Sequence, residues 1–188
     1  MRKRICVVGL GAGGFHYALE RLIGEMPGDF DLVLVYAMRS QAQHNWRSGA
    51  PVHRAYAVRS PSVTGDWWLT SMWWSLVAFW RALAILVTTQ PDCLLSVGSA
   101  LAVPFGAAAR VMRVPLFFVE SMTRIKAPSR TGRLIQRLCL ARRHYVQWPT
   151  LENDSGLTYA GAVSRGLHAV NDCAQLQQQI FGFERRDR

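Results

Sequence analysis

Acidic residues are scarce in this 188-residue sequence: 12 Asp and Glu stand against 22 Lys and Arg, a formal net charge of +10. That imbalance favours anionic partners, whether phosphates, nucleic acid or an acidic membrane surface, over a merely soluble basic surface. Cysteine is sparse and scattered, at Cys6, Cys93, Cys139 and Cys173. No Cys-x-x-Cys pair or Cys/His ligand spacing exists, so zinc and dithiol chemistry are unsupported and no metal site is expected. Three of the four thiols sit in apolar runs, which reads as buried, reduced cysteine in a cytosolic protein. Low-complexity segments are absent, and no repeat exists beyond a recurring β–α unit. Met1-Arg-Lys-Arg leads straight into a strand pattern whose apolar run is too short for a signal peptide and lacks a small-residue cleavage site. The chain is therefore expected to stay on the cytosolic side.

Half of the residues are hydrophobic, which argues against disorder, and the length suits one domain with a real core. Ile5 to Gly9 reads as a buried strand, Gly9 to His16 as a glycine-rich turn, and Tyr17 to Met26 as a helix with Ala18, Leu19, Leu22, Ile23 and Met26 on one face. Phe30 to Ala37 is the next strand, completing a βαβ opening. Gln41 to Arg59 is polar, with a short strand near Ala55 to Val58 and surface histidines at His44 and His53. Thr131 to Arg143 is a basic amphipathic helix with Leu134, Ile135, Leu138 and Cys139 on its apolar side. His144 to Trp148 and Thr158 to Val163 are further strands. A glutamine-rich helix over Leu167 to Phe181 and a charged tail close the chain, giving a lobe over 1–165 and a C-terminal segment over 166–188.

Trp67 to Thr89 holds five tryptophans and a single charge, Arg81. Its length approaches the roughly 20 residues that span a bilayer. Three placements fit it: a crossover helix packed on a sheet, a helix lying in a membrane interface where Trp is favoured, or a true span. Spanning would interrupt a sheet whose next strand follows directly after Pro91.

The organising stretch runs from Asp92 to Arg133. Cys93 to Val97 and Leu116 to Val119 are short buried strands, separated by a helix with Pro104 near its first turn. Small or polar residues follow each strand: Gly98 and Ser99 after the first, Glu120 and Ser121 after the second. In parallel α/β sheets ligands sit at the carboxyl ends of strands, where these residues fall. From Arg110 to Arg143 there are nine Arg or Lys and one acid, Glu120. The fold expected is α/β, a Rossmann-like parallel sheet with helices on both faces.

Ser96-Val-Gly-Ser-Ala-Leu-Ala-Val-Pro-Phe, then Val119-Glu-Ser-Met-Thr-Arg-Ile-Lys-Ala-Pro-Ser-Arg-Thr-Gly-Arg, then Val146-Gln-Trp-Pro together resemble one family. It is the acceptor-side subunit of two-part glycosyltransferases, which includes bacterial exopolysaccharide proteins and the membrane-recruiting subunit of the eukaryotic enzyme adding the second N-acetylglucosamine to dolichol-linked oligosaccharide. More distantly, the chain is similar to the N-terminal half of the peptidoglycan lipid-intermediate N-acetylglucosaminyltransferase. The resemblance covers Ile5 to Val163. It implies a single N-terminal-type lobe of a GT-B glycosyltransferase and a catalytic partner subunit that binds a UDP-sugar. It also implies a polyprenyl-diphosphate-linked saccharide as acceptor, an anionic membrane surface as support, and no cofactor.

The same resemblance implies site residues. Gly13 and Gly14 match the loop facing the acceptor diphosphate, although Phe15 intervenes before His16, whose counterpart follows the glycines directly. Gly98 and Ser99 match a second phosphate- or sugar-facing loop. Glu120 falls where the peptidoglycan enzyme has an acid near the acceptor sugar, so His16 and Glu120 are the implied catalytic residues, and Ser121, Arg124 and Lys126 beside Glu120 join the implied acceptor-binding set. The residues alone leave other readings open. Gly9, Gly11 and Gly14 also satisfy Gly-x-Gly-x-x-Gly, and Arg39 at the second strand's end suits a 2′-phosphate, so an NADP-binding oxidoreductase is one alternative. A non-catalytic membrane scaffold is another. Glu120 could instead pair with Arg124 or Lys126. No recognised nucleic-acid-binding module is present.

Overall fold

A computed structural model describes residues 2–11, 14–26, 29–38, 51–61, 68–152 and 156–162. The elements are β1 (Lys3–Leu10), α1 (Gly14–Gly24), β2 (Phe30–Ala37), β3 (Val52–Val58), α2 (Trp68–Thr89), β4 (Cys93–Val97), α3 (Ala102–Val111), β5 (Leu116–Val119), α4 (Arg130–Arg137), β6 (Arg143–Val146), a short 3₁₀ turn (Pro149–Leu151) and β7 (Leu157–Tyr159). The strands form one parallel sheet in the order β3-β2-β1-β4-β5-β6-β7. The expected α/β architecture is what the chain adopts. The helix expected over Leu167 to Phe181, with Cys173 inside it, and the charged tail lie outside the described residues, as do Gly13, Arg39 and His44.

The strands are continuous apolar runs because both faces of the sheet are covered. In β1, Ile5 and Val7 point to one face and meet Leu19, Leu22 and Ile23 of α1. Cys6 and Val8 point to the other and meet Ala82 and Leu86 of α2 and Phe105 and Ala108 of α3. Fully burying each Leu, Ile or Phe contributes about 1.5–3 kcal/mol, so these two clusters are the main support of the fold. Burial pushes the Cys6 thiol up and the Cys93 thiol to about 12, so both stay protonated and inert, as their apolar neighbours imply.

The chain builds β1, β2 and β3 outward in one direction. It then returns through α2 to lay β4 on the other side of β1. In a parallel α/β sheet such a reversal defines the switch-point crevice at the carboxyl edge, which here falls between β1 and β4. The return helix is fastened at both ends. Near its start the Arg59 guanidinium lies over the Trp74 ring, 3.9 Å from the centroid. At its end Arg4 donates to the Thr89 carbonyl, and the Arg4 amide donates to Asp92 Oδ2 at 2.8 Å.

α2 settles on the sheet through small and aliphatic residues, Ala78, Ala82, Ile85 and Leu86, while Met72, Trp73, Leu76, Trp80 and Val87 stay exposed. The helix thus packs as a crossover and also carries an outward apolar face. Leu69–Thr89 is long and apolar enough to cross a membrane by length and composition, but one of its sides belongs to the core. Beside it, α2 and α3 enclose a groove of about 680 Å³ lined by Leu69, Met72, Leu76, Phe79 and Val103.

α4 is shorter than its apolar spacing suggests. It ends at Arg137, and Cys139 takes a left-handed backbone with φ 48°. Arg110 Nη1 donates to the Cys139 carbonyl at 2.5 Å and holds that turn. Cys139 is therefore exposed rather than on the helix's buried side. The remaining boundary differences are small: β3 begins earlier, at Val52, and β7 covers only Leu157–Tyr159.

Candidate functional site

The crevice at the carboxyl edge is made by close backbone approach. Gly9 ends the regular part of β1 with φ 90°, at a register shift against β2. A Cβ there would lie 2.1 Å from Ser99 Cβ and 2.2 Å from Ser99 Oγ, so only glycine lets the first and second loops meet. Gly98, with φ 60°, donates its amide to the Val119 carbonyl at 3.0 Å, which joins the second loop to the tip of β5. Ser99 Oγ accepts from the Leu101 amide at 3.3 Å, and Ser99 is half-buried. Below the crevice, Ser96 Oγ donates to the Val8 carbonyl at 2.9 Å and stitches β4 to β1.

Gly14 begins α1, and His16 lies in its first turn. His16 is buried, with Nε2 3.4 Å from Glu20 Oε1 one turn on. Burial raises the Tyr36 phenol above its usual range, and the Glu20 charge adds to that, so Glu20 belongs electrostatically to the end of β2 as well.

Glu120 is fully buried, and its carboxylate is taken by the protein itself. Oε1 accepts from the Ser121 amide at 3.1 Å and Oε2 from the Ser129 amide at 3.0 Å. His144 Nε2 lies 3.7 Å from Oε2, beyond ordinary hydrogen-bond distance but with its polar edge against the carboxylate. Burial raises the carboxyl pKa, but His144 and the Ser129 and Ser121 donors together more than offset it. The net position is below the ordinary 4.5, so Glu120 is a buried carboxylate anion. Ser129 also caps α4, its Oγ accepting from the Gly132 amide at 2.9 Å. The first turn of α4 is pressed onto the carboxylate: a Cβ on Gly132 would fall 2.1 Å from Glu120 Oε2.

The loop between β5 and α4 is held from a second side. Gln147 Nε2 donates to the Glu120 carbonyl at 2.8 Å, Trp148 Nε1 to the Met122 carbonyl at 2.7 Å, and Thr150 Oγ1 to the Ile125 carbonyl at 3.1 Å. Ser121 is buried, while Arg124 and Lys126 are exposed on the loop. The pairing of Glu120 with Arg124 or Lys126 is not what forms; backbone amides and His144 occupy the carboxylate instead.

The structure thus joins Ser99 to Gly9 and links Gly98 to the strand end that carries Glu120. It turns Glu120 away from solvent and leaves Arg124 and Lys126 outward. Ser129, Gly132, Gln147 and Trp148 entered the sequence reading only as parts of a textual signature, and His144 only as the start of a strand. Ser129 ahead of a helix carried a capping signal; the approach of Gly132 to Glu120 carried none. Among the described residues no group of His, Cys, Asp and Glu is arranged to hold a metal ion.

A lone parallel lobe with its crevice at the β1/β4 reversal matches one half of a larger enzyme fold. MurG from Acinetobacter baumannii superposes with a TM-score of 0.66 at 16% identity, over 84% of this chain and 45% of that one. The fold is a single Rossmann-like lobe of the GT-B glycosyltransferase type. The chain belongs to the family described as "Oligosaccharide biosynthesis protein Alg14 like", matched over residues 6–163. It is similar to the UDP-N-acetylglucosamine transferase subunit ALG14 of Rattus norvegicus, 29% identical over 162 residues, 76% of this chain and 74% of the relative. Its similarity to the Mus musculus subunit of the same name is 24% over 119 residues, 60% and 54% of the two chains. The chain spans about half the length of the mouse relative and of MurG.

Proposed function

We propose that this chain is the acceptor-binding and membrane-recruiting subunit of a two-component glycosyltransferase. Its acceptor would be a polyprenyl-diphosphate-linked saccharide, extended in polysaccharide biosynthesis of the bacterial exopolysaccharide or capsule kind. A catalytic partner subunit binds the UDP-sugar, and the pair works at the cytoplasmic face of the plasma membrane, with this chain peripheral or monotopic. The observation that carries the reading is the single GT-B-type lobe in a chain of the Alg14-like family. Glycosyl transfer needs donor and acceptor held together in near-attack geometry, and one lobe supplies one side of that cleft. Gly98 and Ser99 are the small residues that would admit a diphosphate at the carboxyl edge, Gly13 and Gly14 belong to the acceptor loop that the family resemblance implies, and Arg124 and Lys126 supply the counter-charge. His16 is the candidate for proton transfer, and Glu120, enclosed by its amide donors, acts by holding Ser121 and the loop. The outward apolar face of α2 and the basic residues of α4 lie on the same side of the sheet, which suits a membrane-facing surface.

The test is acceptor kinetics of the reconstituted pair, with UDP-N-acetylglucosamine and a prenyl-diphosphate-linked monosaccharide as substrates. Arg124→Ala with Lys126→Ala removes two charge-assisted contacts and should raise the acceptor KM about tenfold or more, with the donor KM unchanged. A rise in the donor KM with an unchanged acceptor KM would place the acceptor elsewhere.

A further inference from the structure

The loop from Ser121 to Pro128 carries the two exposed cations of the proposed site, yet it has no secondary structure of its own to fix them. A free loop of this kind would lose conformational entropy each time it bound an anion. Here that freedom is already removed, by a set of bonds at regular places along its backbone. Both ends are tied to one carboxylate, since Glu120 accepts from the amides of Ser121 and Ser129. The segment that follows β6 ties the entry and the interior: Gln147 to the Glu120 carbonyl just ahead of the loop, Trp148 to the Met122 carbonyl and Thr150 to the Ile125 carbonyl within it. Ser121 Oγ, 2.9 Å from Thr123 Oγ1 and 3.3 Å from the Thr123 amide, closes the first turn from within. All three donors from the β6 segment are side chains; two of the acceptors, at Met122 and Ile125, are loop carbonyls, and the third, at Glu120, stands just ahead of the loop. The arrangement spends the side chains of Gln147, Trp148 and Thr150 on holding the loop backbone. It leaves Arg124 and Lys126 outward on either side of Ile125, whose carbonyl is the anchor point nearest both.

We infer that Trp148, with Thr150, is a positioning residue: it fixes the loop carbonyls at Met122 and Ile125 so that Arg124 and Lys126 present a pre-formed anion site. This rests on the acceptor reading given above and deepens it, by naming what aims the cations. It also gives the Gln-Trp-Pro sequence a physical task. Trp148 supplies an indole N–H, a donor only, and Pro149 opens the 3₁₀ turn that carries Thr150 to the loop.

The experiment is a double-mutant cycle on the full chain. Trp148→Phe keeps an aromatic ring and removes the N–H; Thr150→Val removes the hydroxyl at nearly equal volume. The anion site is read as the Kd for geranylgeranyl diphosphate, and as the acceptor KM and kcat of the reconstituted pair. Trp148→Phe should weaken Kd and raise the acceptor KM about fivefold, from the loss of one net hydrogen bond's worth of order, with kcat within about twofold. Amide hydrogen exchange should speed up from Met122 to Lys126 and remain slow in β5 and β6. In the Arg124→Ala, Lys126→Ala background, Trp148→Phe should add less than about twofold, because the cations it aims are gone. Thr150→Val should reproduce the pattern should Trp148→Phe fail to fold. Full additivity of the loop and Trp148 variants would overturn the inference while leaving the acceptor reading intact. So would an unchanged Kd with a loosened loop. An Arg124, Lys126 double variant with wild-type Kd and KM would overturn both.

Discussion

Gly132 is the residue whose replacement tests the buried network most sharply. In a helix interior, Gly→Ala should gain about 1 kcal/mol from propensity alone. Here the added Cβ meets Glu120 Oε2 at 2.1 Å and His144 Cε1 at 3.1 Å, and the carboxylate is not free to swing because two amides hold it. Gly132→Ala is therefore expected to destabilise by about 2–4 kcal/mol, from overpacking plus a broken buried bond, and to lower Tm in thermal denaturation. A Tm at or above wild type would mean that the helix start is not pressed onto Glu120. The charge on Glu120 has its own signature. Its carboxyl titrates lower in the folded chain than the ordinary 4.5. On acidification the unfolded chain takes up the proton first, so the stabilisation is complete above about pH 4.5 and is lost as pH falls through the folded-state value. Glu120→Gln should be less stable than wild type at pH 7 and should lack this part of the acid dependence. Tm series from pH 7 down to pH 3 that run parallel for the two proteins would contradict the assignment. Of this network only the capping signal at Ser129 was readable beforehand. The sequence displays an acid after an apolar strand, and local charge points to Arg124 and Lys126; the true partners are amides brought in by a cap at Ser129 and a histidine on the next strand.

Among the elements, α2 carries the membrane part of the account. Its inward residues are small, which lets the helix sit close on the sheet, and its large aromatic residues Trp73 and Trp80 are left exposed. Trp73→Ala with Trp80→Ala removes apolar surface that is mostly exposed in the folded chain, together with one edge contact from Trp80 to Phe79. The expected result is about a tenfold or greater loss of binding to vesicles containing anionic lipid, with Tm within a few degrees of wild type. Wild-type vesicle binding would move the membrane contact to another face. The extent of this helix was legible because its apolar length and the Pro91 stop are local features. Which of its faces turns inward was not, since Trp and Leu score alike by hydrophobicity and only the close fit of Ala78 and Ala82 decides it. For α4 the spacing of Leu134, Ile135, Leu138 and Cys139 runs on towards Arg143, while the backbone turns left-handed at Cys139, a non-glycine residue that gives no stop signal.

At the scale of the whole molecule, the parallel sheet was legible from β–α alternation and from the small residues after each strand. Gly9 stood out in the sequence only as one of several glycines; its contact with Ser99 depends on β1 and β4 being neighbours, which the strand order alone determines. The central claim is that this lobe supplies the acceptor side of a transferase whose donor side belongs to another subunit. The direct measurement is sugar transfer from UDP-N-acetylglucosamine to a prenyl-diphosphate-linked monosaccharide, assayed with this chain alone, the catalytic partner alone, and both together on anionic vesicles. The account predicts turnover only when both are present. Robust turnover by this chain alone, or by the partner at an equal rate without it, would contradict that claim.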